Sequence, residues 1–417
     1  MRKFLSAEDE LRTGLQPERV FSTNVLWEDG NNIISAESGL RPTYPQGSFT
    51  EKLHQEPISA LLSTNFGDGI NRLYSGSSDI LSEWTQENGR RDVSRVAGYP
   101  LADNYNIWSF VEFKDKIYAT NNQYYDEFDP ALANAVDLAT VSDIGSVFTK
   151  AKIFKKLKNH VLAFNLEIGG SSESRAYGWC DSDDISLWVP AATNLAGLDR
   201  IRDLDSEIRA VEYLRQGLVV YSANEVFFIT YIGSPLVFRY DEMTRGIGAV
   251  GQNAVAYARG THFGFGQNGI WRFDGNRFEY IDAPIKKQVL TNNFNEDFAH
   301  KVTAFHSSKE NLVIFFWPGA DSEVNNNAWG FNYLEGSWWK LGYSRTVGIE
   351  PGIFDYGIAG DEFGNIYRQF EPGSATDNIS FSADAVAAKL NSLPWRFRGY
   401  GAGGYGEGGY GDVIDLG

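Results

Sequence analysis

The stretch Asn253–Asp282 constrains the fold more than any other, because it alternates short apolar runs with tight-turn signals. Four runs rich in Phe, Tyr, Ile and Trp are separated by Arg259-Gly260, Gln267-Asn268-Gly269 and Asp274-Gly275-Asn276. Asn-Gly and Asp-Gly accept the positive φ of hairpin turns, and the runs are too short for helices. The stretch therefore predicts a four-stranded antiparallel meander.

Similar hairpin clusters recur along the chain. One four-stranded sheet cannot bury its faces alone, whereas several arranged radially can. Roughly seven clusters, spaced by ~45–50 residues, predict an all-β fold that is a β-propeller of about six to eight blades. We expect the N-terminal strands, or Ile379–Ala383, to complete the last blade and close the ring non-covalently. A pair of β-sandwiches is the alternative.

Local patterns outside the meander predict the remaining elements. Ser22–Trp27 and Asn32–Ala36 are predicted strands, as is Leu187–Val189. Thr85–Asn106 is predicted to be a long polar insertion, and Asp129–Ser146 a loop with one weak helical turn.

The chain divides into two arms and a central domain. Residues 1–20 form a predicted N-terminal arm, residues 21–395 the propeller with loop insertions, and residues 396–417 a C-terminal arm rich in Gly and Tyr. Tyr400, Tyr405 and Tyr410 recur every five residues in that arm. Gly permits close backbone approach and Tyr offers an apolar ring with a polar tip, so we expect the arm to dock on a neighbouring protein.

Charge and cysteine content exclude several classes of protein. The formal net charge is −17, which disfavours a site that grips nucleic-acid phosphates. A single Cys, Cys180, leaves no disulfide framework and fits folding in a reducing compartment. The N-terminus lacks the apolar core of a signal peptide, and the longest apolar run, Leu312–Trp317, is too short for a membrane helix.

No motif in the sequence predicts catalysis, a cofactor or a metal. The His residues show no metal spacing, and the acidic stretches Asp181–Asp184 and Asp361–Asn365 are better explained as solvated turns than as calcium loops. A Gly-x-Ser-x-Gly elbow and a phosphate loop are both missing, and acids beside Cys180 argue against a reactive thiolate. Paired carboxylates of a propeller glycosidase or lyase are the one remaining enzyme hypothesis.

One basic run stands out against the acidic background. It contains Lys150, Lys152, Lys155, Lys156 and Lys158. The simpler interpretation is a charged, solvated strand that resists edge aggregation. The functional interpretation is a docking site for an acidic partner surface.

Three segments together carry a resemblance to a known family. Thr23–Pro45 is a strand pair followed by a Gly-Leu-Arg-Pro crossing, Asn106–Gln123 is a hairpin with a Trp-x-Phe strand, and Asp241–Ile281 contains the meander. The combination resembles the tail-hub or nozzle proteins of short-tailed bacteriophages, the packaged-DNA stabilisation class. The likeness covers about Ser22 to Ala283, while the Gly/Tyr arm has no match in that family.

The resemblance implies a non-enzymatic structural protein of the virion tail, assembled in the host cytoplasm. Identical subunits would form a six-fold ring, a hexamer, below the portal and adaptor proteins, with tail fibres or spikes attached. The ring would form the DNA exit channel and retain packaged DNA until ejection. DNA would pass an acidic lumen without tight binding. A soluble carbohydrate- or protein-binding propeller remains a further alternative.

Overall fold

Within the residues that the structure describes, seven four-stranded antiparallel sheets form a β-propeller. This computed structural model describes residues 27–31, 33–36, 39–43, 46–100, 106–287, 291, 293–370 and 389–392. The first strand of each sheet lies beside the first strand of the next, around a common axis. The predicted propeller is confirmed, and the sandwich alternative is wrong.

The strands follow the chain in order. Preceding the blades are β1 (Trp27–Asn31), β2 (Ile33–Ala36), β3 (Gly39–Pro42) and β4 (Gly47–Ser48). Blade 1 contains β5 (Ala60–Thr64), β6 (Arg72–Gly76), β7 (Leu81–Thr85) and β8 (Gly89–Asp92). Blade 2 contains β9 (Ser109–Phe113), β10 (Lys116–Thr120), β11 (Tyr125–Phe128) and β12 (Val136–Asp137). Blade 3 contains β13 (Lys150–Leu157), β14 (His160–Ile168), β15 (Ser171–Trp179) and β16 (Gly197–Arg200).

The second half repeats the same meander. Blade 4 contains β17 (Ala210–Leu214), β18 (Gly217–Tyr221), β19 (Glu225–Gly233) and β20 (Val237–Arg245). Blade 5 contains β21 (Val255–Ala258), β22 (Thr261–Gly266), β23 (Gly269–Phe273) and β24 (Phe278–Tyr280). Blade 6 contains β25 (Thr303–Ser307), β26 (Leu312–Pro318), β27 (Asn325–Asn332) and β28 (Ser337–Lys340). Blade 7 contains β29 (Val347–Ile349), β30 (Gly357–Gly360) and β31 (Ile366–Gln369), with β4 as its fourth strand.

A few elements lie outside this pattern. A short helix, α1 (Leu138–Val141), follows blade 2, and 3-10 turns span Ile144–Ser146 and Glu296–Lys301. A two-stranded ribbon pairs β1 with β32 (Lys389–Ser392), and β1 lies beside the outer strand β28 of blade 6.

The N-terminal segment closes the ring non-covalently, as predicted. Ser48 pairs with Tyr367 of β31, and the Phe49 amide donates to the Ile366 carbonyl over 2.8 Å. The Phe49 ring then packs edge-on against Trp84 of blade 1, with centroids 4.7 Å apart. The closing strand is Gly47–Ser48, later in the chain than the predicted strands, and Ile379–Ala383 lies outside the described residues.

The inner and middle strands are buried on both faces because neighbouring blades cover them. Every residue of β18, β25 and β26 is buried, and β26 contains the long apolar run Leu312–Trp317. Such strands have continuous apolar sequences in place of an alternating pattern. Several fourth strands are more exposed, as in the half-buried β8 and the exposed β24, whereas β28 of blade 6 is largely buried.

This exposure explains the errors of the sequence-based prediction. Residues 85–106 contain the edge strand β8, whose Gly-Arg-Arg-Asp sequence has no apolar signal. Leu187–Val189 is not a strand; Trp188 is fully buried between exposed neighbours, and Gly197–Arg200 is the fourth strand of blade 3. Within 129–146, β12 replaces part of the predicted loop, and α1 is a short helical turn of the kind predicted there. The predicted strand Ser22–Trp27 lies outside the described residues except for Trp27.

Candidate functional site

The predicted lysine run occupies the innermost strand of blade 3 and its turn. Three of the five lysines form ion pairs within the propeller: Lys150 with Glu167 (2.9 Å), Lys152 with Glu207 (4.0 Å) and Lys155 with Glu212 (2.9 Å).

The pair of Lys155 with Glu212 is the least exposed of the three ion pairs. Burial opposes the charge of Lys155, but the Glu212 carboxylate and the Tyr213 hydroxyl outweigh that effect and raise the pKa of the ammonium group. The other two lysines, Lys156 and Lys158, are exposed where the strand turns. Only this end of the run is therefore available to a partner.

Lys158 belongs to a larger basic feature, which we call the basic rim. The turn that follows the innermost strand carries an exposed cation in five consecutive blades, 2 to 6: Lys114, Lys158, Arg215, Arg259 and Lys309. In blades 2 to 5 the cation occupies the first turn position, with φ between 49° and 55°. These turns lie around the axis on one face, so the five cations form an arc there, with the exposed Asp115 beside Lys114 in the same turn.

The arc is interrupted at blades 7 and 1. Their corresponding turns carry Glu350 and Asp355, and Asp68. Acids also lie on outer turns and approach the rim, since the Lys114 ammonium donates to the Asp183 carbonyl and Arg215 donates to the Asp274 carbonyl (3.2 Å). Three of these turns are recognisable from sequence, but only ring closure places their cations on one face.

The axis itself is closed at the opposite face, where the inner strands begin. The Gln252 amide donates to the Trp108 carbonyl over 3.3 Å, and the Asn253 amide donates to the Ser59 carbonyl over 3.2 Å. These residues precede blades 5, 2 and 1, and blades 1 and 2 are the farthest from blade 5 around the ring. Residues that precede opposite blades are therefore joined across the axis by single hydrogen bonds.

A small cavity of about 50 Å³ lies at this closed end, which we call the axial cavity. Lys301 and Glu362 are among its lining residues. Burial, and next to it the Asp361 carboxylate, raises the pKa of Glu362, while burial lowers the pKa of Lys301. An acid and a base with pKa values displaced toward neutrality are what an enzymatic alternative requires of a pocket.

A Ser-His-Asp cluster beside blade 1 was not predicted from the sequence. His54 Nε2 lies 2.9 Å from Ser75 Oγ, its Nδ1 contacts Ser77 and lies 3.6 Å from Asp79, and Ser82 is 3.1 Å from Nε2. Burial, assisted by the Arg90 charge and opposed by Asp79, lowers the pKa of His54. No short motif encodes the cluster, because its members come from the closing segment and from two strands.

The geometry of this cluster is that of a packed core network. His54 is fully buried and Ser75 and Ser82 are 2% or less exposed, so no substrate reaches a hydroxyl. The cluster therefore fastens the closing segment to blade 1.

Two other residues considered in the sequence analysis, Cys180 and Asp361, are buried and contact protein groups. Cys180 is buried, which together with the nearby Asp181 and Asp184 raises the pKa of its thiol to about 12. The Asp361 carboxylate accepts hydrogen bonds from the Phe363 and Asn365 amides at 2.9 and 2.8 Å.

Three further findings concern sites and partners. Among the described residues, no group of His, Cys, Asp and Glu side chains is arranged to hold a metal. None of the described helices is both long and apolar enough to span a membrane. Tyr400, Tyr405 and Tyr410, together with both predicted arms, lie outside the described residues.

The fold class of this protein is defined by its own geometry, and comparison with known proteins adds no family to it. The geometry defines a seven-bladed β-propeller over the described residues. No protein-family model matches the chain, and no curated protein matches it significantly.

Proposed function

We propose that this protein is a structural subunit of a short-tailed bacteriophage tail, part of a hub or nozzle ring below the portal and adaptor. Six identical subunits surround the DNA exit channel and retain packaged DNA until ejection. The observation that carries the proposal is the placement of charge, since a chain of net charge −17 carries an exposed cation in the inner turn of each of blades 2 to 6. Complementary patches of this kind steer acidic subunits into a defined contact.

The DNA channel in this proposal lies between subunits. Gln252 and Asn253 bridge the propeller axis, so a duplex has no path through a single subunit. Surfaces that face the passing DNA are acidic and repel phosphate, whereas the basic rim faces an acidic neighbour. The carboxylates already paired with Lys150, Lys152 and Lys155 contribute little to that lumen.

Mass measurement and charge reversal test the proposal together. We expect the purified chain, or the virion tail, to contain particles of about six times 46.5 kDa, seen as rings by electron microscopy. Replacing Lys158 and Arg215 by Glu should weaken assembly by at least about tenfold, because like charges then meet at the contact. Arg239→Glu is the matched control, since Arg239 is exposed on the outer strand β20 and, among the described residues, forms an ion pair with Asp241 alone.

Two results would contradict this function. One is a chain that remains monomeric in the virion. The other is a ring whose channel is lined by the basic rim.

The axial cavity favours a second candidate function, cleavage of a polysaccharide by acid–base chemistry. It rests on the displaced pKa values of Lys301 and Glu362 within one cavity. Incubation with host polysaccharides tests it: turnover that disappears in Glu362→Gln, and persists in Glu335→Gln on the opposite face, would establish an enzyme. The absence of turnover in the unmodified protein leaves the structural proposal alone.

A further inference from the structure

A wide groove lies between blades 5 and 6, on the face that carries the basic rim. Its volume is about 430 Å³, and its lining includes Arg259, Arg272, Arg277, Phe278, Tyr333 and Leu334. Leu334 is 58% exposed, an unusual position for a large aliphatic side chain in a turn. The groove therefore combines guanidinium groups with an apolar, partly aromatic floor.

The groove lining contains three guanidinium groups and two carboxylates, so that one positive charge is in excess. Arg272 pairs with Glu279 over 2.6 Å, and the Arg259 guanidinium lies 5.7 Å from the centre of the Tyr333 ring. The Asp274 carboxylate accepts from two backbone amides, which lowers its pKa. Within the described part of the chain, the exposed Arg277 guanidinium has no ion-pair or hydrogen-bond partner. A ligand with carboxylates beside aliphatic groups complements this surface.

The chain supplies such a segment in its own C-terminal arm. Residues 412–416 read Asp-Val-Ile-Asp-Leu, so two carboxylates alternate with three aliphatic side chains. This is the one acidic and apolar stretch after Arg398, since the other residues there are Gly and Tyr with a single Ala and a single Glu.

The point at which the described chain ends places this segment within reach. Ser392 ends β32, which pairs with β1, and β1 lies beside β28. The strand β28 directly follows the turn of Tyr333 and Leu334. The nineteen residues between Ser392 and Asp412, which are Gly-rich from Gly399 onward, span about 25 Å on average, well beyond the roughly 13 Å length of a four-residue strand.

We propose that Asp412–Leu416 of the same chain docks in the blade 5–6 groove, with its carboxylates on Arg277 and Arg272 and its aliphatic side chains on Phe278, Tyr333 and Leu334. The tether makes the encounter intramolecular, so that a weak contact is occupied at an effective concentration of about millimolar. The inference does not depend on the tail-subunit proposal.

Cysteine cross-linking in the full-length chain tests this docking, because the native Cys180 is buried and does not compete. The test variant carries Leu334→Cys and Ile414→Cys; the control carries Phe363→Cys and Ile414→Cys. Phe363 is 60% exposed on the opposite face, so it matches Leu334 in accessibility. Under mild oxidation we expect an intramolecular disulfide to form at least about tenfold faster in the test variant, seen as a compact band on a non-reducing gel.

Charge reversal separates specific docking from random collision. Arg272→Glu with Arg277→Glu should reduce cross-linking to the rate of the control, and adding Asp412→Arg with Asp415→Arg should restore it. Both arginines are exposed, so circular dichroism should show unchanged folding. Equal rates in test and control variants, or insensitivity to charge reversal, would overturn the proposal. A disulfide formed only between chains would reject docking within one chain.

Discussion

At the scale of single residues, the buried His54 network makes stability depend on pH. His54 is surrounded by the Ser75, Ser77 and Ser82 hydroxyls, with Asp79 and Arg90 as its nearest charged groups. Burial is the largest cause of its lowered pKa, so the folded state prefers the neutral imidazole. His262, enclosed by the Tyr221 hydroxyl and the Tyr213 carbonyl, has a pKa lowered for the same reason.

The sign of the effect follows from these directions. The stabilisation is fully present above the unfolded pKa of about 6.5 and is lost as the pH falls through the lower folded pKa. We expect the free energy of unfolding to fall between pH 7 and 5, by at most about 1.4 kcal/mol per pH unit for each histidine. Urea denaturation of the wild type, His54→Gln and His262→Gln across this range checks the expectation. In each variant the free energy of unfolding should change less steeply with pH. If the free energy of unfolding of the wild type is the same at pH 7 and pH 5, the expectation is contradicted.

At the scale of elements, cross-strand Gly–Trp pairs decide how closely strands pack within a blade. Gly264 on β22 is paired with Trp271 on β23, and Trp179 on β15 with Gly197 on β16. A Cβ atom on Gly264 would lie 2.1 Å from the Trp271 ring, and one on Gly197 would lie 2.2 Å from Trp179. The indole therefore lies flat across its partner only because the glycine has no side chain.

Gly264→Ala should be destabilising for this reason. Trp271 is fully buried, stacks on Tyr221 and donates to the Gly248 carbonyl over 2.8 Å, so it has no room to yield. We expect a loss of about 1–3 kcal/mol in the free energy of unfolding, the usual cost of overpacking. Gly352→Ala is the matched control, because its new methyl group meets open space. Equal denaturation midpoints for the two variants would show that blade 5 tolerates the methyl group.

At the scale of the whole molecule, a short N-terminal strand holds the propeller closed. The two-residue strand β4 contributes little backbone pairing, so the closure depends on packing of Phe49 against Trp84 and Phe354, with ring centroids 4.7 and 5.4 Å apart. The contact joins blade 7 to blade 1. Loss of this ring is expected to open the propeller at its seam.

Phe49→Ala should lower the free energy of unfolding by about 3–5 kcal/mol, the usual cost of removing a buried Phe. Phe363→Ala, which truncates an exposed Phe near the same blade, should cost less than about 0.5 kcal/mol. Urea denaturation of both variants checks the difference. If Phe49→Ala unfolds like Phe363→Ala, the ring is closed by other contacts.

Much of the fold was predictable because turns and buried strands leave local signals. The Asn253–Asp282 meander with its three turns follows the predicted pattern, and the apolar run Leu312–Trp317 forms the buried strand β26. The outermost strands β8, β16 and β20 were not predicted, since the polar residues at the outer edge of a blade show no alternation of apolar and polar residues. The lysine run was recognisable as basic, but its sequence does not state that Lys150, Lys152 and Lys155 pair with acids 17, 55 and 57 residues away.

The sequence by itself determined the strand-and-turn repeat, the acidic charge and the lack of short catalytic motifs, because each of these is encoded by neighbouring residues. Tertiary structure alone decided three other properties: the closed axis, the basic rim and the His54 cluster. Each joins residues from separate blades or from the closing segment, as when Gln252 reaches the Trp108 carbonyl 144 positions away. Such contacts form only when the ring closes, so no local pattern encodes them.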